Sequence, residues 1–400
     1  MKIIIAASSI IPGNSLGIEH FTYRLLNSLI DIFPADTFYV LIPQGTTEQW
    51  QQRLSPRSNL FLIPVRLTPR VFDLSMSSSV SLWAGLYQRL KKRRTVRAAF
   101  RYLRRLDLEL RLRRIKPDIV YSSYHLETLC GPEWKTVVTV HDLREAMKEF
   151  YDPEKALILS RNVKTARAVI VAWKHPFDQL IEIFPGTRSK AHLIPFPIPI
   201  SPNGPKPEAQ SVNEMLLFAS ALRPQKNHVN LVRALRIIVD ERQKIGKFVH
   251  LICAGTKHSP IYEELVREVQ GLGLEKHVVF TGFISDDALK DLYTQATAIV
   301  TPTLWEAASG AVFEAYLFDK PVACSRIPPI ISQVEQSDGI VSYFDPNDPQ
   351  DIARSILKVL ENPAAYVEGA KRGAQFVRSL SWTKTAQEYM QVFRQVAHLE

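Results

Sequence analysis

Two glutamates stand eight positions apart in LWEAASGAVFEAYLFDKPV, residues 304–322, and the spacer between them is mostly Ala307, Ala308, Ser309, Gly310 and Ala311. The run TAIVTPT just before it, residues 297–303, reads as a short buried strand, and Val312, Ala315, Tyr316 and Phe318 share one face of a helix. Strand, small-residue loop and helix in that order make a seat for phosphate. The loop lets a ligand approach the backbone closely, and the helix it opens presents unpaired N–H groups and the positive end of its dipole. Carboxylates repel phosphate, so Glu306 and Glu314 beside such a seat should face hydroxyl groups, which donate well to ionised acceptors. Phosphate together with many hydroxyls points to a nucleotide sugar. The plainer alternative makes Glu314 an acid early in a helix, stabilised by the dipole, and Glu306 a solvated loop residue.

A second group lies in FASALRPQKNHVNLVRAL, residues 218–235, where Arg223 and Lys226 occupy a turn between a strand and a helix. Ligands of open α/β sheets bind at the carboxyl ends of strands, so these cations and the glutamate loop would share one rim. The alternative is that Pro224 makes a turn, Asn227 caps the helix and both cations are merely solvated.

The elements that must position these residues form two rounds of alternating strands and helices. KIIIAAS, FYVLIP, LFLIPV, DIVYSS, TVVTVHD, AVIVAW and AHLIP are short apolar runs, separated by helical patterns such as Phe21, Leu25, Leu29 and Phe33. EMLLFAS, KFVHLICAG, HVVFTG, TAIVTP and PVACS form the second round, with Leu231, Leu235 and Ile238 on one helix face. Each round predicts a parallel sheet. Between them FPIPISPNGPKPEAQSV, residues 196–212, holds five prolines. This places an N-terminal domain at 1–196, a Pro-rich linker at 197–212 and a C-terminal domain with closing helices at 213–400.

Of the 400 residues, 46% are hydrophobic and 22% charged, the balance of a soluble enzyme of two or three domains. Cys130, Cys253 and Cys324 are scattered, which suits a reducing cytosol and offers no metal-ligand spacing. The opening MKIIIAASSIIPG has one lysine and a Pro12-Gly13 break, and reads as a first strand rather than a secretion signal. No apolar run is long enough to span a membrane. The net charge of +10 is concentrated: Arg66 to Lys116 carries 15 Lys/Arg against Asp73, Asp107 and Glu109, so the remainder sums to −2. Within this stretch Val96, Phe100, Leu103 and Leu110 share a helical face flanked by Arg97, Arg101, Arg104, Arg105 and Arg111. Residues 89–116 could therefore meet anionic lipid, or be the solvated side of an ordinary helix. Recognition motifs for nucleic acid are missing. G-x-G-x-x-G, the P-loop, G-x-S-x-G, H-E-x-x-H and D-x-D are also missing, which removes support for dehydrogenase, P-loop, hydrolase and zincin readings. Without D-x-D no metal site is expected, and protein cations would hold the diphosphate.

The ordered set RPQKN, CAGT, FTGFISDDALKDLY, PTLWEAASGAVFEA, KPVACS, FDPNDPQDIARSI and SW resembles the retaining glycosyltransferases of family 4. That resemblance implies the α/β GT-B architecture, with two doubly wound Rossmann-like domains facing a cleft that closes for catalysis. It implies that Lys226, with Arg223, holds the diphosphate and Glu314 the ribose hydroxyls, while Glu306 and the Ser309, Gly310 and Ala311 backbone face the transferred hexose. In the first domain Gly17 stands where the family has a Gly-rich loop, and VVTVHD resembles the strand ending in an active-site histidine, His141. The chain departs from the family pattern at Ser220-Ala221, where a Gly-Arg pair is usual, at Leu16, and at Ala307-Ala308. The implied reaction is metal-independent hexosyl transfer from a nucleoside-diphosphate sugar, GDP-mannose or a UDP-sugar, to a glycan or lipid-linked acceptor. No cofactor is required, and the setting is bacterial polysaccharide assembly in the cytoplasm, with the inner membrane face as a further partner. A GT-B nucleotide-sugar epimerase and a non-catalytic scaffold binding through its basic stretch are the alternatives.

Overall fold

The computed structural model describes residues 1–13, 16–65, 94–127, 133–147, 151–198, 200 and 213–398, without the side chains of 16, 94–101 and 103–105. The chain divides into two compact units: residues 1–196 with 381–400, and residues 197–380. Most of the Pro-rich segment, 201–212, lies outside the described residues, as does Cys130.

The first unit is built on seven strands: β1 (Lys2–Ala6), β2 (Thr37–Pro43), β3 (Leu60–Val65), β4 (Ile119–Ser122), β5 (Thr136–Val140), β6 (Ala168–Val171) and β7 (Ala191–Leu193). All pair in parallel in the order β3-β2-β1-β4-β5-β6-β7. Helices cover both faces, so the strands read as unbroken apolar runs: Ile3, Ile4 and Ile5 are all fully buried. Ile3 sits between Phe38 of β2 and Ile119 of β4.

The second unit repeats the plan with β8 (Asn213–Ala219), β9 (Phe248–Ala254), β10 (Val278–Gly282), β11 (Ala298–Thr301), β12 (Val322–Ser325) and β13 (Ser342–Phe344), in the order β10-β9-β8-β11-β12-β13. The short β13 is a strand that the apolar pattern did not announce. Each sheet reverses its strand order once, between β1 and β4 and between β8 and β11, and such a reversal opens a crevice at the carboxyl ends of the strands. Helix starts follow their capping chemistry: Asp152 accepts from the N–H groups of Glu154 and Lys155 ahead of Pro153, and Ser285 accepts from Ala288 N–H.

One expectation is corrected here. The last helix, Trp382–His398, does not belong to the second unit. Its Tyr389, Met390, Phe393 and Val396 join the first core beside Phe21, Leu25 and Tyr121, and Thr139 Oγ1 lies 2.8 Å from Tyr121 Oη and 3.0 Å from Tyr389 Oη. Its amphipathic pattern shows that one face is buried, not which sheet buries it. In the basic helix Arg94–Ile115, Leu108 and Leu112 pack on the sheet with Val65 and Val120, whereas Leu110 is 69% exposed. Leu110, which the sequence reading put on one apolar face with Val96, Phe100 and Leu103, thus faces solvent. The side chains of Val96, Arg97, Phe100, Arg101, Leu103, Arg104 and Arg105 lie outside the described residues. Among the described residues, no helix is long and apolar enough to cross a membrane.

Candidate active site

In the second unit, β8 and β11 are neighbours, and the chain leaving each runs to a candidate residue. After β8 come Arg223 and a single 3-10 turn, Pro224–Lys226, that ends at Asn227 in the left-handed region, φ 60°. Asn227 does not cap the helix His228–Gln243 with its side chain, as sequence suggested. Its amide instead donates to Pro302 O at 3.0 Å and Pro346 O at 2.7 Å. Leu304 N–H and the Thr303 hydroxyl both reach Gln225 O, at 2.8 and 3.0 Å. The turn after β8 and the loop after β11 are thus one hydrogen-bonded body. Gly255, after β9, leaves room for it: a Cβ there would stand 2.2 Å from Ser220 O.

This body brings Lys226 and Glu306 together, with the Lys226 ammonium donating to Glu306 Oε1. Both side chains keep a solvent-facing part. Arg223 is exposed. Beyond Glu306 the loop reaches Ser309, whose N–H donates to Gln333 Oε1 and whose carbonyl accepts from Gln333 Nε2, both at 2.7 Å. Gln333, on the helix Pro328–Ser337, therefore holds the loop in place through two buried bonds. The Ser309 side chain makes no capping bond to the helix Gly310–Leu317, so that helix start is not closed by its own cap.

Glu314 is in the second turn of this helix, not the first, which weakens the simple dipole reading. Tyr293 Oη donates to Glu314 Oε2 at 2.5 Å. Burial raises the Glu314 pKa above the ordinary carboxylate value, the Tyr293 hydrogen bond acts against that rise, and Asp286 adds to it. Glu314 is thus a fixed acceptor with one oxygen already engaged.

In the first unit, His141 follows β5. Its Nε2 lies 2.8 Å from Ser123 O and its ring meets Phe21 edge-on at 4.9 Å. Burial first, then the neighbouring His125, lowers its pKa to about 4, so the ring is neutral near pH 7. With Nε2–H donated to a carbonyl, Nδ1 is left as a hydrogen-bond acceptor. Asp142 accepts from Arg144 N–H at 3.3 Å, consistent with a turn-capping role.

Among the described residues, His125, Asp142 and Glu145 offer ligating atoms within 4.8 Å of one another. His125 Nδ1 accepts from His141 N–H at 3.4 Å, which puts the ring proton on Nε2, 3.6 Å from Glu145 Oε2. A protonated nitrogen does not bind a cation. Within the trio, His125 Nε2 and Glu145 Oε2 are buried without a hydrogen-bond partner.

Gly17 departs from expectation. The helix Leu16–Ile32 already contains it, and the left-handed turn belongs to Gly13, φ 85°, whose N–H donates to the buried Glu19 at 2.7 Å.

A cation and a carboxylate are thus paired at the carboxyl ends of two adjacent strands, beside an uncapped helix start and the half-buried carboxylate of Glu314. Residues 203–376 match the family of glycosyl transferases group 1. That match lies within the second unit and spans less than half of the chain. A serotype-specific mannosyltransferase of Escherichia coli is 26% identical over 306 residues, which are 70% of this chain and 37% of that protein. The chain spans less than half the length of the first curated relatives it matches. Among solved structures, a sucrose-phosphate synthase from Thermosynechococcus elongatus superposes with a TM-score of 0.71 at 16% identity, over 99% of each chain. HepE of Anabaena, in complex with UDP and glucose, does so with a TM-score of 0.68 at 17% identity, over 99% of this chain and 100% of that one. These likenesses carry the fold, which is GT-B.

The sequence reading picked out Lys226, Glu306, Ser309, Gly310, Ala311 and Glu314 in the second unit, and they lie together on the loops after β8 and β11 and the helix that follows. It missed Gln333 and Tyr293. Tyr293 ends the motif FTGFISDDALKDLY, where it had no assigned task, and nothing local to Gln333 signals its role.

Proposed function

We propose that this chain is a metal-independent, retaining hexosyltransferase that uses a nucleoside-diphosphate sugar and passes its hexose to a glycan or lipid-linked acceptor. The observation that carries the reading is the Lys226–Glu306 pair at the strand-order reversal of the second sheet. Each charge of the pair neutralises the other. A donor exchanges both partners: its diphosphate takes Lys226 and its hexose hydroxyls take Glu306. Glu314, held by Tyr293, accepts from the ribose hydroxyls.

As the glycosidic bond breaks, negative charge grows on the departing diphosphate. Lys226 and the start of the helix Gly310–Leu317 stabilise it, with Arg223 as a further, exposed cation. Glu306 fixes hexose hydroxyls and does not attack the sugar. Retention rests on the resemblance to family 4. The name of the Escherichia coli relative favours a mannosyl donor, whereas the HepE complex contains UDP, so the base stays between guanine and uracil. Buried free thiols at Cys253 and Cys324 suit a reducing compartment, and the reading places the enzyme in the cytoplasm.

Incubation with UDP-, GDP- and ADP-sugars, each with and without a glycan acceptor, tests this proposal. One nucleoside diphosphate should appear, in proportion to glycosylated product. Release of none of them, or donor isomerisation without transfer, would reject it.

A further inference from the structure

Away from the Lys226–Glu306 pair, the same rim of the second sheet holds a further cleft. Arg326 follows β12 and Asp345 follows β13, and Arg326 N–H donates to Phe344 O at 2.7 Å. The helix Pro349–Glu361 is fixed beside these strand ends, where Ser355 Oγ donates to Ser342 Oγ at 2.6 Å. Two adjoining hollows share Arg326 and Asp351. The outer one, of about 270 Å³, is also lined by Tyr343, Arg354 and Lys358. The inner one, of about 420 Å³, runs past Asn347 and Pro346 to Leu304. Both acids of the cleft are already engaged. Asp351 accepts from Arg354 Nη1 at 2.7 Å and from Asp345 N–H at 2.8 Å, and Asp345 accepts from Asn347 N–H at 2.9 Å. Arg326 is held by an aromatic ring instead of an acid, its guanidinium 5.2 Å from the centre of Tyr343. Among the described residues neither Arg326 nor Lys358 has an ion-pair partner. The cleft therefore keeps two uncompensated cations on one wall.

We propose that this cleft binds a phosphate ester, with the phosphate between Arg326 and Lys358 and the organic part in the inner hollow towards Leu304. Arg326 offers a planar fork of donors and Lys358 a point charge. That pair suits a phosphate monoester, which carries three free oxygens and roughly two negative charges at neutral pH, better than a carboxylate. The seat is separate from that of the donor diphosphate. Neighbouring strands lie about 4.8 Å apart, so β12 stands about 10 Å from β8, whose turn carries Lys226. The two seats still share a wall: Leu304 N–H donates to Gln225 O, and Pro346 O accepts from the Asn227 amide at 2.7 Å. A bound ester thus touches the loop that presents Glu306.

The test is calorimetric titration with inorganic phosphate and with glucose 6-phosphate. The natural chain is compared with Lys226→Ala and with Arg326→Gln and Lys358→Gln, made separately and together. Both side chains are exposed, so these variants should keep the circular dichroism and the nucleoside-diphosphate affinity of the natural chain. Each single change should weaken binding of both probes by about tenfold, the loss of one charge-assisted hydrogen bond, and the double change by more. Lys226→Ala should retain the site. Glucose 6-phosphate should bind more tightly than inorganic phosphate, because only the ester fills the inner hollow. Equal affinities would overturn that part and leave a seat for free phosphate. No binding of either probe to the natural chain, loss of all binding in Lys226→Ala, or undiminished binding by the folded double variant would overturn the proposal.

Discussion

Lys226 and Glu306, 80 residues apart in the chain, pair at the ends of the adjacent strands β8 and β11. A diphosphate that binds Lys226 must therefore displace a carboxylate already bound there. Glu306→Gln removes that competitor, and since partly exposed ion pairs contribute up to about 1 kcal/mol, free nucleoside diphosphate should bind up to about fivefold more tightly. Transfer should nevertheless fall on the order of 10- to 100-fold, because the hexose loses a charged acceptor. Calorimetry beside a transfer assay separates the two effects. Affinity and turnover falling together would show that Glu306 supports the diphosphate and not the sugar.

Glu314 has a raised pKa, caused first by burial. Its ionised form is the hydroxyl acceptor, so donor affinity should drop as pH falls, beginning above the range of an ordinary carboxylate. Tyr293→Phe removes a hydrogen bond that favours ionisation and should move the drop to higher pH. Glu314→Gln should cost about 1.5–3 kcal/mol of binding at neutral pH and abolish the pH dependence. Titration with an intact nucleotide sugar, whose diphosphate does not change protonation in this range, is the measurement. A pH profile shared by all three proteins would assign Glu314 a purely structural task.

The legible parts of this protein were those with local causes. Ile3, Ile4 and Ile5 mark a strand buried on both faces, and the small residues 307–311 mark a loop running into a helix start. What escaped depends on contacts made through space. Gln333 reaches Ser309 across 24 residues, and the helix Trp382–His398 crosses back to a sheet whose last strand ends at Leu193. The basic helix shows the same limit: spacing marks its apolar residues and does not say that the sheet covers Leu108 and Leu112 rather than Leu110.

His228 lies under the turn that carries Lys226, stacked near Phe218 with both ring nitrogens lacking hydrogen-bond partners. Burial, then the Lys226 charge, lowers its pKa to about 3. Above pH 6.5 the ring is neutral whether folded or unfolded and pH has no effect through it. Below 6.5 the unfolded chain takes up a proton that the folded chain refuses, so stability falls as pH drops towards 3. Between pH 7 and 5 this amounts to about 2 kcal/mol. His228→Leu, of similar volume, should lose correspondingly less stability over that interval in urea unfolding. Equal acid sensitivity of the two proteins would mean that His228 is protonated in the fold.

The most direct test is the rate of nucleoside-diphosphate release with acceptor, in EDTA, for the natural chain and Lys226→Ala. The natural chain should keep its activity, and the variant should fold normally and turn over about 100- to 1000-fold more slowly, the cost of removing one preorganised donor from developing charge. Near-normal release by the variant, or activity in the natural chain that vanishes in EDTA and returns with Mg²⁺ or Mn²⁺, would contradict the assignment of the leaving group to Lys226.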